Sequence, residues 1–132
     1  MDLLLDTHIW LWSVAQPKRL TARVARELTR SSNQLWLSPV SVWELYLLQS
    51  RGRIQLDGST LEDWVQKTCA KLQLNEATLT IEVMLQLPKL NLPHGDPADG
   101  FLVATSQVLG LTLVTADENL IHVPGIHVLA NR

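Results

Sequence analysis

Residues 2–8 read Asp2-Leu3-Leu4-Leu5-Asp6-Thr7-His8, and this stretch decides the fold. Three leucines bounded by acids are too few for a membrane span or a signal peptide, but they have the length of a strand buried on both faces. Such a strand belongs in a parallel sheet covered by helices, because a sheet with one wet face would alternate apolar and polar residues. Asp6 then stands where the strand ends, the edge at which open parallel sheets bind ligands.

Further along, short apolar runs at Gln34–Leu37, 111–114 and 125–129 have the same character as Asp2–Leu5. Between them, Leu20, Val24 and Leu28 recur at helical spacing, as do Val40, Trp43 and Leu47, then Leu61, Trp64 and Val65, and finally Phe101, Leu102, Thr105 and Val108. Strands alternating with helices predict parallel pairing, right-handed crossovers and helices on both sheet faces. At 132 residues, without repeats or low-complexity segments, the chain is expected to form one domain over 1–132. Residues 87–97, with Pro88, Pro93, Gly95 and Pro97, are expected to form a loop that walls the site.

With 46% hydrophobic and 18% charged residues the chain can bury a core, which excludes intrinsic disorder. The single cysteine, Cys69, makes no internal disulfide, and no Cys/His set has zinc spacing, so a reducing cytoplasm is the expected compartment and no membrane is expected as a partner. A formal charge of -2 offers no overall attraction to polyanions, so nucleic-acid binding requires a local patch.

Two acids follow apolar runs directly: Asp6 after Leu5, and Asp117 after Leu113-Val114-Thr115-Ala116. Each also has the position of a helix N-cap, so structural and chemical roles both stay open. Glu44 lies within the helical pattern of Val40, Trp43, Leu47 and Leu48, on an apolar side where a carboxylate needs a counter-charge, whether Arg51 or a metal. In His94-Gly95-Asp96-Pro97-Ala98-Asp99, Asp96 before Pro97 reads as a cap, and Asp99 falls in the first turn, where the helix dipole favours a negative charge. Carboxylates brought together repel and raise one another's pKa unless a cation compensates them. Magnesium or manganese is the usual cation for an all-oxygen site, and phosphodiester hydrolysis is the reaction class that follows.

The segments Leu4-Leu5-Asp6-Thr7-His8, Ser41-Val42-Trp43-Glu44-Leu45, His94-Gly95-Asp96-Pro97-Ala98-Asp99 and Val114-Thr115-Ala116-Asp117, in that order and spacing, resemble the PIN domain, specifically the VapC-like toxins of type II toxin–antitoxin pairs. The resemblance runs from Asp2 to about Leu129. It implies a three-layer α/β/α fold with a central parallel sheet and an endoribonuclease dependent on Mg2+ or Mn2+. It also implies RNA as substrate, a cognate antitoxin covering the active site, and a homodimer. Carried over by position, Asp6, Glu44, Asp99 and Asp117 form the catalytic and metal-binding set, Asp96 is an additional acid and Thr115 a supporting polar group. Two departures stand out: Gly100 follows Asp99 where many relatives carry Arg, and Leu48 stands four residues after Glu44 where Lys is common. They leave the carboxylates intact and bear on substrate grip.

Arg19, Arg23, Arg26 and Arg30 recur at three- and four-residue intervals and are expected on one helical face, as a contact for RNA or a partner or as an ordinary solvated face. His8 is expected to be a surface or packing residue, Trp36 and Trp43 core residues, and Trp10 and Trp12 part of helix packing or a partner groove. A phosphoacceptor receiver would want adjacent acids after the first strand and a late lysine, and a haloacid-dehalogenase-like phosphatase a second Asp at position 8; neither pattern is present. The remaining alternative is a catalytically weak PIN module that only binds RNA or protein.

Overall fold

The structure, a computed structural model, describes residues 1–92 and 95–132; Pro93 and His94 of the expected wall loop lie outside the described residues. Its strands are β1 (Asp2–Leu5), β2 (Gln34–Leu37), β3 (Asn75–Glu76), β4 (Thr112–Thr115) and β5 (His127–Ala130). They form one sheet in the order β3-β2-β1-β4-β5, and every pairing is parallel. The helices are α1 (Thr7–Ala15), α2 (Ala22–Thr29), α3 (Pro39–Ser50), α4 (Leu61–Leu72), α5 (Ile81–Gln86), α6 (Pro97–Leu109) and α7 (Glu118–Ile121). No helix among the described residues is long and apolar enough to cross a membrane.

The leucine run works as its chemistry requires. Leu3 and Leu5 join the core of one sheet face with Ile9, Trp10, Leu45 and Trp64, while Leu4 joins the other with Val40, Leu102, Val103 and Leu113. All three leucines are fully buried, each worth about 1.5–3 kcal/mol of transfer free energy. Period-two alternation thus divides one uniformly apolar strand between two helix layers.

The connections also decide where a site can form. From β1 the chain proceeds outward to β2 and β3, then returns to place β4 on the other side of β1. The switch point, where ligands bind in such sheets, therefore lies between the carboxyl ends of β1 and β4. Asp6 N–H extends the ladder there by donating to Val114 C=O at 3.0 Å.

Several expectations need correction. The third run is a strand over Thr112–Thr115, so it reaches Thr115, and the last begins at His127 because Gly125, at φ 84, forms a turn. Trp43 is 49% exposed on α3 and is not core; the tryptophans that fill the interior are Trp10 and Trp64, with rings 5.1 Å apart. Trp36 is part-buried and donates through Nε1 to Asp2 at 3.1 Å. The four arginines do not share one helical face: Thr21 is extended and caps α2 by accepting from Val24 N–H, so Arg19 belongs to a separate short turn, and Arg30 lies at the C-cap. Arg30 pairs with Glu27 at 3.1 Å, and Arg19 lies over the Trp12 ring at 4.1 Å.

Candidate active site

At the switch point a cleft of about 330 Å3 is lined by Asp6, Glu44, Asp96, Asp99 and Asp117, with His8, Trp12 and Ala116 completing its wall. All five candidate carboxylates are brought together, from four separate parts of the chain.

Asp6 is delivered by β1 and fixed by three elements at once. It is the N-cap of α1, accepting from Thr7 N–H at 2.7 Å through Oδ1, while Oδ2 accepts the Thr115 hydroxyl at 2.6 Å. Thr115 in turn accepts from Asp117 N–H at 3.0 Å, which ties the start of α7 to the same cluster. Thr115 thus links the Asp6 carboxylate to the backbone of Asp117. Asp117 caps α7 by accepting from Asn119 N–H at 2.9 Å, and Asp96 caps α6 by accepting from Ala98 N–H at 3.0 Å. Cap and cleft roles coincide, because an N-cap at the carboxyl edge of the sheet points its carboxylate toward the positive helix end and the switch point together. Asp99, in the first turn of α6, is only 6% exposed.

Glu44 comes from the middle of α3, far from either helix end, and is held by the Thr7 hydroxyl through Oε1. Thr7 Oγ1 also lies 2.9 Å from Ser41 Oγ. A hydroxyl has a single proton, so with the Thr7 proton on Glu44 the Ser41 hydroxyl donates to Thr7. Thr7 and Ser41 were not legible as site residues: small buried hydroxyls give no sequence signal beyond lying next to Asp6 and three residues before Glu44.

The electrostatics follow from this crowding. Burial pushes the Asp6 carboxyl above its ordinary value, against the lowering effect of its bonds to Thr115 and Thr7. Burial raises Glu44 to about 7; its Thr7 bond opposes this, while the negative charges of Asp6, Asp96 and Asp99 reinforce it. No Lys or Arg lines the cleft, and His8, exposed and tilted against Trp12 at 5.7 Å, is its one basic side chain among the described residues. An all-oxygen cluster of this kind fits a hard divalent cation. No three His, Cys, Asp or Glu side chains among the described residues stand close enough to enclose an ion, so a bound ion would keep water in its shell, as magnesium commonly does.

A family model described as PIN domain matches residues 3–126. The chain belongs to the PIN-domain family. Ribonuclease VapC22 of Mycobacterium tuberculosis is 31% identical over 118 residues, covering 89% of this chain and 88% of that protein. Among solved structures, VapBC2 from Rickettsia felis bound to a DNA fragment from its promoter matches with a TM-score of 0.71 at 17% identity over 98% of each chain. DNA-bound VapBC from Salmonella typhimurium matches with a TM-score of 0.69 at 16% identity over 100% of this chain and 99% of that one. At such identities these two show the shared PIN fold. Gly100, the departure noted after Asp99, is buried outside the PIN cleft: a Cβ there would meet Leu87 Cδ2 at 3.5 Å and Leu92 Cδ1 at 3.9 Å.

Proposed function

We propose that this chain is a VapC-like PIN ribonuclease, the toxin of a type II toxin–antitoxin pair, which hydrolyses RNA phosphodiester bonds as a magnesium- or manganese-dependent endoribonuclease. The observation that carries the reading is the meeting of Asp6, Glu44, Asp96, Asp99 and Asp117 in one cleft at the switch point. Kinship with Ribonuclease VapC22 supports RNA as the substrate.

Asp6 and Asp99 would hold the cation directly, with Glu44 and Asp117 completing the pocket. When bound, the ion supplies positive charge to the phosphate oxygens and makes the attacking water more acidic. The protein's part is orientation and proton transfer. Thr115 and the Thr7 amide lock the Asp6 carboxylate, and Thr7 and Ser41 set the rotamer of Glu44. Glu44 would take a proton from water through Oε2, because Oε1 receives the Thr7 proton. Asp96, at the mouth of the cleft, adds negative charge that favours cation entry.

A cognate antitoxin as partner is supported by the fold likeness to VapBC complexes. A homodimer is supported by the exposed Trp43, Tyr46, Ile81 and Leu85. Cytoplasmic residence accords with the free thiol of Cys69. The test is cleavage of a mixed RNA pool by the purified chain with manganese or magnesium, beside a chelator control and Asp99→Asn. Cutting that disappears in both controls is expected; equal cutting by Asp99→Asn would remove Asp99 from the site. Absence of cutting by a folded, metal-loaded, antitoxin-free sample would favour the binding-only PIN module.

A further inference from the structure

We infer that the groove adjoining the acidic cleft is the track for the RNA strand that flanks the scissile phosphodiester, with Arg19 and Arg53 holding its phosphates. The inference deepens the ribonuclease reading and rests on it.

The cleft poses a problem for a polyanionic substrate. Among the described residues it is lined by five carboxylates and by no Lys or Arg, so the protein's own grip on RNA is sought beside it. The chain as a whole supplies none, at a formal charge of -2. Next to the cleft is a second groove of about 610 Å3, and His8 and Trp12 line both, so the two are continuous. The charge changes sign across that shared wall: among the described residues the groove contains Arg19 and Arg53 and no carboxylate.

Its chemistry suits a single strand of nucleic acid. Arg19 lies over the Trp12 ring at 4.1 Å and reaches Gln16 Oε1 at 3.5 Å, so its guanidinium is preorganised. Stacking uses the flat face of the guanidinium and leaves in-plane N–H groups to meet phosphate oxygens. Arg53 follows Gly52, whose φ of 70 turns the chain after α3 and brings it back to this wall. Leu11 and Leu48 offer apolar surface to ribose and base faces, and the Gln16 and Gln55 amides offer neutral hydrogen bonds. Continuity favours the substrate itself over an acidic peptide. A strand whose reacting phosphate enters the cleft must lay its next nucleotides along a wall, and this wall is cationic. Arg23, Arg26 and Arg30 do not line the groove, so of the four arginines grouped by sequence only Arg19 takes part.

The test is steady-state cleavage of a single-stranded RNA oligonucleotide with manganese present, over a series of KCl concentrations, for wild type, Arg19→Gln, Arg53→Gln and the double variant. Both residues are exposed, so folding is not at stake. Each single variant is expected to raise KM about tenfold with kcat changed less than twofold. The double variant should flatten the slope of log(kcat/KM) against log[KCl] by about 1.4, from ~0.7 per lost phosphate contact on a single strand. Unchanged KM and salt slope in the double variant would overturn the inference while leaving the ribonuclease reading intact. So would unchanged RNA kinetics with lost inhibition by the antitoxin, which would make the groove a protein site. A wild-type chain that cuts no RNA would overturn the ribonuclease reading and this inference with it.

Discussion

Replacing Glu44 with Gln should stabilise the metal-free protein at alkaline pH while crippling it as a nuclease. Folding raises this carboxyl from 4.5 to about 7, so the native state prefers its protonated form. For a group raised in this way, stability is fully present below the unfolded value and is lost as pH rises through the folded one. At ~1.36 kcal/mol per tenfold change in acidity the ceiling on that loss is about 3.4 kcal/mol. Glu44 is only part-buried, and solvent screening brings the expected figure down to about 1–2 kcal/mol. Gln keeps the size of the side chain and an oxygen for the Thr7 hydroxyl but never ionises. Urea unfolding in EDTA should therefore give near-equal stabilities for wild type and Glu44→Gln at pH 4, below the unfolded value of 4.5, and a more stable variant at pH 8 by about 1–2 kcal/mol. Cleavage at pH 7.5 with manganese should fall by roughly 10²-fold or more. A variant no more stable than wild type at pH 8 would refute the claim that burial, reinforced by the neighbouring carboxylates, raises the Glu44 carboxyl, whatever its activity.

Other perturbations follow from the same geometry. Manganese should stabilise the protein by about 2.7 kcal/mol at a hundredfold excess over its Kd. The gain should be smaller at pH 5 than at pH 8, because protons compete for Asp6 and Glu44, both raised by burial; thermal unfolding at the two pH values checks this. Thr115→Val removes the donor to Asp6 and the acceptor for Asp117 N–H, and should cost about 2–3 kcal/mol in urea unfolding together with at least tenfold in cleavage rate. Gly100→Ala should stabilise α6 by about 0.5–1 kcal/mol, since its new methyl would make ordinary contacts with Leu87 and Leu92, and should leave cleavage unchanged.

How much of this was legible depended on what each segment buries. Leu3-Leu4-Leu5 announced its strand because it is apolar on both sides, and α6 announced itself through Asp96, Pro97 and the apolar residues that follow. Helix α1 gave no periodic signal: Ile9, Trp10, Leu11, Trp12 and Val14 pack against one core from several directions, so the segment is apolar all round. Strand β3 was invisible because Asn75 and Glu76 are polar and its pairing is dictated by β2 alone. Side-chain size misled at Trp43, where the helix turns a large ring to solvent, and regular spacing misled at Arg19, because the extended Thr21 interrupts the helix. The candidate acids were legible as a set because each ends an apolar run, starts a helix or sits on an apolar face. Thr7 and Ser41, which hold Glu44, became visible only when α1 and α3 were placed side by side.

The brevity of β3 bears on how this chain behaves when crowded among copies of itself. An open parallel sheet presents two rows of unsatisfied amides and carbonyls that a neighbouring chain could extend. On one side that row is only Asn75 and Glu76. That margin is too short to template a foreign strand. The opposite margin, His127–Ala130, is twice as long and is the side from which sheet-to-sheet growth would start. Resistance to aggregation should therefore depend on the C-terminal strand, and a proline at its exposed His127 is the substitution that would blunt it.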